Sequence, residues 1–194
     1  MDVTKDSLIT ALRRVGVLGT VQAGYFDNLF DSTPNTANGF GFVSYANTIP
    51  SQSPEPGEWT TLLNNGAGIY STSEFLPPGI DRMLDIETGR ILVDQLDVGD
   101  EMYIRHTLNV IPLMNNLSYQ LSHLNGSEAQ AYRLPLGSKT TLVGGAVPTD
   151  IFVVETRIYI RNDDVRLNGI LPQILLSGEG RVEYLGSYIS VNRR

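Results

Sequence analysis

Six carboxylates fall within residues 84–101: Asp85, Glu87, Asp94, Asp97, Asp100 and Glu101. Two carboxylates converging in one cleft can act as general acid and base on a glycosidic bond when they stand roughly 5–9.5 Å apart. Asp85 with Asp100 is the pair to consider for that chemistry. Asp85, Glu87 and Gly89 also echo the alternation of a calcium loop, but the twelve-residue EF-hand pattern is absent. Turn chemistry accounts for the same acids with fewer requirements. Glu87-Thr-Gly89 suits a hairpin turn between 83–86 and 90–93, with Gly89 at a positive φ. Asp97-Val-Gly-Asp100 suits a second tight turn, where Asp side chains bond nearby backbone amides.

The other reactive types decide less. His106 shares an alternating face with Met102, Ile104 and Leu108, where a histidine is more often a hydrogen-bonded core residue than a ligand. His123 follows Leu121 in another strand candidate. With two histidines and no cysteine, a zinc site would need carboxylates, and neither HxxxH nor HExxH occurs. There is no G-x-S-x-G, and Leu176-Ser-Gly-Glu-Gly180 has the wrong spacing. Gly39-Phe-Gly41 and Gly144-Gly145 mark turns rather than phosphate cradles. Trp59 and the nine tyrosines could stack on sugars. Core and subunit-interface packing is their simpler use. No catalytic, cofactor or metal residue is assigned.

The elements that must position these residues are mostly strands. From Trp59 onward apolar residues recur with a period of two. Met102, Ile104, His106, Leu108 and Val110 alternate with polar neighbours. Phe152, Val154, Ile158 and Ile160 also alternate, but Ile151, Val153 and Tyr159 stand on the opposite face, so this strand is partly apolar on both sides. Residues 170–176 form an apolar run, and a last strand reaches 189–191. Strands bounded by Gly, Asn, Asp and Pro predict an all-β sandwich or barrel over 59–194. Residues 1–58 read differently. Asp2 or Thr4 caps a short helix with Leu8 and Leu12 on one face, ended by Gly16. Residues 24–58 read as an extended arm with a true turn at Ser53-Pro-Glu-Pro-Gly57. The arm carries Tyr25, Phe26, Phe30, Phe40, Phe42 and Tyr45, which favours packing on a surface.

Composition narrows the function. The 194 residues carry a net charge of −7. No basic run offers the dense Lys/Arg footprint that a phosphate backbone requires. The absence of cysteine excludes a disulfide or a thiol nucleophile. No apolar segment is long enough to span a bilayer as a helix. The opening MDVTKDSLITALRRVG lacks the order of a signal peptide. The expected partners are therefore proteins, not nucleic acid or membrane.

Several segments carry a family likeness. They are Trp59-Thr-Thr-Leu-Leu-Asn-Asn-Gly66, Leu84-Asp-Ile-Glu-Thr-Gly-Arg-Ile91 and Leu96-Asp-Val-Gly-Asp-Glu-Met-Tyr-Ile-Arg105. Val110-Ile-Pro-Leu-Met-Asn-Asn116, Phe152 to Ile160 and Gly186-Ser-Tyr-Ile-Ser-Val191 complete the set. Their order resembles the jelly-roll, C1q/tumour-necrosis-factor-like domain of trimeric structural proteins in tailed-bacteriophage virions. The resemblance covers about two thirds of the chain and is one of strand and turn grammar. It implies a jelly-roll β-sandwich with a short N-terminal helix and an extended arm. It also implies a homotrimer, a virion location after assembly in the host cytoplasm, no catalysis and no cofactor. A capsid decoration or cement protein bound to the major capsid protein through residues 1–58 is the expected role. Arg157 and Tyr159, on the outer face of their strand, join Leu8, Leu12 and the arm aromatics as expected interface residues. The alternatives are a tail or head-fibre protein that recognises a host glycan, and a β-sandwich polysaccharide hydrolase.

Overall fold

Where the sequence alternates with a period of two, the chain runs as strands. The structure is a computed structural model that describes residues 39–127, 129–141 and 149–193. Leu8, Leu12, Tyr25, Phe26, Phe30 and the expected N-terminal helix lie outside the described residues. The strands are β1 (Phe40–Ala46), β2 (Trp59–Thr61), β3 (Leu84–Asp85), β4 (Arg90–Ile91) and β5 (Glu101–Pro112). They continue as β6 (Ser118–Asn125), β7 (Tyr132–Thr140), β8 (Asp150–Tyr159), β9 (Ile170–Leu176) and β10 (Gly180–Asn192).

They form two antiparallel sheets. The first has the order β1-β10-β5-β8, and the second β3-β4-β9-β6-β7, with β2 also on β9. The chain passes from β5 to β6 in the other sheet, returns from β7 to β8, crosses to β9 and returns to β10. This is the winding of a jelly roll, and the all-β sandwich read from the sequence is what the chain adopts.

The inward residues of both sheets make the core. One apolar cluster holds Val43, Tyr45, Met102, Ile104, Ile158 and Ile189. A second holds Leu108, Val110, Tyr119, Leu121, Ile174 and Val182. Along β5 the first cluster ends at Ile104 and the second begins at Leu108. His106 stands between them.

Two parts differ from the sequence reading. Phe40–Ala46, expected within an extended arm, is a full strand paired to β10 from Phe40↔Asn192 to Ala46↔Gly186. The compact unit containing it runs from Ala37 to Arg194. The segment is a strand because Val43 and Tyr45 point inward and are buried, while Phe42 and Ser44 point outward. Its Asn- and Gly-rich flanks obscured that alternation. Residues 47–58 of the expected arm hug the sandwich. Gln52 bridges Val182, and Gly57 donates to the Leu176 carbonyl. The turn expected at 53–57 is present, with Glu58 N donating to Glu55 O at 3.1 Å.

The second difference is a short helix, α1 (Asp163–Asn168), which the sequence reading did not contain. Asn162 caps it by accepting from Val165 N, and Val165 is its one buried residue. Its two apolar residues, Val165 and Leu167, stand two apart rather than at helical spacing, so the helix left no pattern to read.

β10 carries a bulge between Tyr184 and Gly186. Gly186 has φ +141°, and a Cβ there would come within 2.1 Å of the Tyr45 carbonyl oxygen. The close approach of β1 to β10 therefore requires glycine. Gly186→Ala is expected to lower stability in urea unfolding by roughly 1–3 kcal/mol from backbone strain alone. An unchanged midpoint would show that β1 does not dock there.

Candidate functional site

The acidic segment resolves into turns. Asp85 accepts from Glu87 N at 3.0 Å and from Thr88 Oγ1 at 2.7 Å, and its carbonyl accepts from Gly89 N. The Thr88 hydroxyl, with the backbone bonds and the nearby Arg82 charge, holds the Asp85 carboxyl below its usual range against the opposing effect of burial. Asp100 accepts from Asp97 N at 2.9 Å and lies 3.7 Å from Arg193 Nε. Arg193 also bonds Asp97 at 3.1 Å and so ties the end of the last strand to this turn. Asp85 and Asp100 thus serve separate turns. Among the described residues no three of His, Asp and Glu gather as a metal site.

The two histidines meet in the core. His106 on β5 and His123 on β6 are fully buried, and their Nε2 atoms lie 2.7 Å apart. The bond spans the sandwich, because β5 belongs to the first sheet and β6 to the second. His106 Nδ1 lies 2.7 Å from the buried Tyr184 hydroxyl. One proton serves the two Nε2 atoms, so one ring donates and the other accepts. His123 Nδ1 has no hydrogen-bond partner among the described residues. If His123 donates through Nε2, the orphan is a lone pair, which costs less than an orphan N–H. That tautomer makes His106 donate from Nδ1 to Tyr184.

Neither ring can accept a further proton cheaply. Burial pushes His106 down to about 3. Burial, reinforced by the neighbouring His106, pushes His123 well below its ordinary value.

Of the expected interface residues that lie among the described ones, Phe40, Phe42, Arg157 and Tyr159 fall on the outer face of the first sheet and Tyr45 does not. Tyr45 is core: its ring is buried and its hydroxyl accepts from Met83 N at 3.1 Å. An anchor for another chain must reach the surface, and Tyr45 does not. Phe42 stacks on Phe75 at 5.5 Å and on Tyr188 at 5.8 Å between ring centroids. Tyr103 meets Tyr188 edge-on at 6.3 Å, and the Arg105 guanidinium lies over the Tyr188 ring at 5.7 Å. The patch therefore runs across β1, β10 and β5.

Phe40 and Arg157 come together in a cavity of about 320 Å³ on this face, with Glu101, Tyr103, Ser190 and Asn192. Arg157 Nη1 lies 3.6 Å from Glu101 within the same chain. On β8, Ile151, Val153 and Tyr159 are exposed while Val154 and Ile158 are buried. The sequence reading of that strand as two-faced is what the structure shows. It did not single out Tyr70, Phe75, Tyr103 and Tyr188 as surface residues. Tyr103 and Tyr188 could have been found from their outward register on strands. Tyr70 and Phe75 lie in an irregular segment without periodicity.

Because the unfolded chain protonates its histidines near the ordinary value of about 6.5 and the folded chain does not, stability must fall with acidification. It is complete above that value and declines toward the folded value of about 3 for His106. Between about pH 7.5 and pH 5 each buried histidine is expected to cost about 2 kcal/mol, above the range where carboxylates titrate. Urea unfolding at the two pH values measures this. A flat profile would show that the imidazoles are not buried as a neutral pair.

No family model matches the chain, and no curated protein matches it. Among solved structures, the chain is similar to that of Eiger TNF from S. frugiperda, with a TM-score of 0.43 and 12% identity. That likeness covers 80% of this chain and 91% of that one.

Proposed function

We propose that the protein is a structural virion protein that acts as a homotrimer, in the role of a capsid decoration or cement protein. The observation that carries this reading is the outer face of the first sheet. A sheet that faces water alternates apolar-in with polar-out. Here the outward positions hold Phe40, Phe42, Tyr103 and Tyr188 at one side and Ile151, Val153 and Tyr159 on the opposite edge strand. Aromatic anchors beside a polar rim are the composition of protein interfaces.

The two apolar areas lie on different strands of one sheet, β1-β10-β5 and β8. A contact that joins unlike patches is head-to-tail, and it closes into a ring when the rotation allows. A threefold ring is the closure this reading favours. Arg157 and Glu101, paired between the two areas, would then form a polar contact within the interface. The segment ahead of residue 39, with its helix pattern and aromatics, would attach the trimer to the shell.

Light scattering is expected to give a mass three times the 21.3 kDa of one chain. Val153→Glu or Tyr103→Glu places a charge in the proposed interface and is expected to yield folded monomer. Deletion of residues 1–24 is expected to leave the trimer intact and abolish binding to its shell. A monomeric wild-type chain would overturn the assembly, and shell binding by the truncated protein would overturn the anchoring role.

A further inference from the structure

The outer face of the second sheet carries a groove that the trimer reading does not use. Gln120 on β6 and Ser138 on β7 stand directly opposite each other. Leu175 on β9 and Trp59 on β2 continue the same cross-strand row. In the next row Ser118 and Thr140 hold their hydroxyl oxygens 2.8 Å apart. Ser177 Oγ accepts from Ser118 N at 2.9 Å. The groove has a volume of about 530 Å³, within the roughly 300–1,000 Å³ usual for small-ligand sites.

Its chemistry is hydroxyl, carboxamide and aliphatic. Among the described residues Lys139 is the one charged residue of the lining, and Asp150 neutralises it. The Gln120 carboxamide and the Ser138 hydroxyl have no side-chain partner among the described residues. Trp59 stands beside Leu175, and its indole is set by Arg133, whose guanidinium lies 3.9 Å from the ring centroid. Arg133 is itself held by Ser122 Oγ and Gln173 Oε1, each at 2.8 Å. Arg133 therefore holds the indole on the outer face, on the strand next to the lining residue Leu175, rather than folded into the core.

We propose that this groove binds a neutral oligosaccharide. Sugar hydroxyls donate and accept together, which suits paired carboxamide and hydroxyl groups. The C–H face of a pyranose suits the aliphatic side chain of Leu175. A chain of net charge −7 whose groove holds its one cation in an ion pair does not suit a phosphate or an acidic glycan. The proposal does not depend on the trimer.

Trp59 is the only tryptophan in the chain and pairs with the lining residue Leu175, so its fluorescence reports from beside the groove. The full-length protein is titrated with hexasaccharides of glucose, mannose, galactose and N-acetylglucosamine. The expected result is a saturable fluorescence change with at least one of them. Gln120→Ala with Ser138→Ala, both at exposed or half-exposed positions, is expected to weaken that binding on the order of tenfold while leaving the circular dichroism unchanged. No saturable binding of any of the four sugars, by fluorescence or by titration calorimetry, overturns the proposal. Binding that the double variant leaves intact also overturns it, because the sugar then sits elsewhere.

Discussion

The sandwich is organised around one hydrogen bond that crosses it. His106 from one sheet and His123 from the other share a proton at 2.7 Å, with Tyr184 closing the line. Apolar side chains fill the space on either side, so the core has a polar waist between two apolar clusters. Apolar contact alone tolerates sliding of one sheet over the other. A buried hydrogen bond does not, because displacement would strand polar nitrogens in an apolar interior at a cost of about 1–3 kcal/mol each. The pair therefore sets the register of the two sheets, and burial keeps both rings neutral.

That register determines what each outer surface displays. With His106, Ile104 and Leu108 inward, β5 must turn Tyr103 and Arg105 outward. The β10 bulge at Leu185 then brings Tyr188 opposite Arg105, and β1 adds Phe42 opposite Ser190. The aromatic patch is a consequence of strand alternation carried through three neighbours. On the other sheet the same logic aligns Trp59, Leu175, Gln120 and Ser138 in one row. The two outer faces consequently differ in kind. One is aromatic and suited to a protein partner, and the other is rich in hydroxyl and amide groups and suited to a polar ligand.

The acidic segment illustrates how local chemistry and function can be confused. Six carboxylates in a short stretch look like a reactive site in a linear reading. In the fold, Asp85 and Asp100 each bond the backbone of their own turn. Such bonds shape hairpins, and they leave the long strands to present the surfaces.

The sequence by itself determined the class of fold. Period-two alternation marked β5, β8 and β10, and Gly-Asp-Asn punctuation marked the turns, because both signals act between residues close in the chain. It also showed that β8 has two apolar faces, since alternation within one strand reveals both sides. Only the tertiary structure decided which strands are neighbours. Phe42 and Tyr188 lie at opposite ends of the described chain, yet their rings stack. Phe40, Phe42 and Tyr45 look alike in sequence, but pairing with β10 sends Tyr45 inward and the others outward. His106 read as a lone core histidine and His123 only as part of a strand, and nothing in their spacing announces a pair. Local pattern records which way a side chain points. What it points at depends on hydrogen bonds between distant strands, and those are set only when the whole sandwich closes.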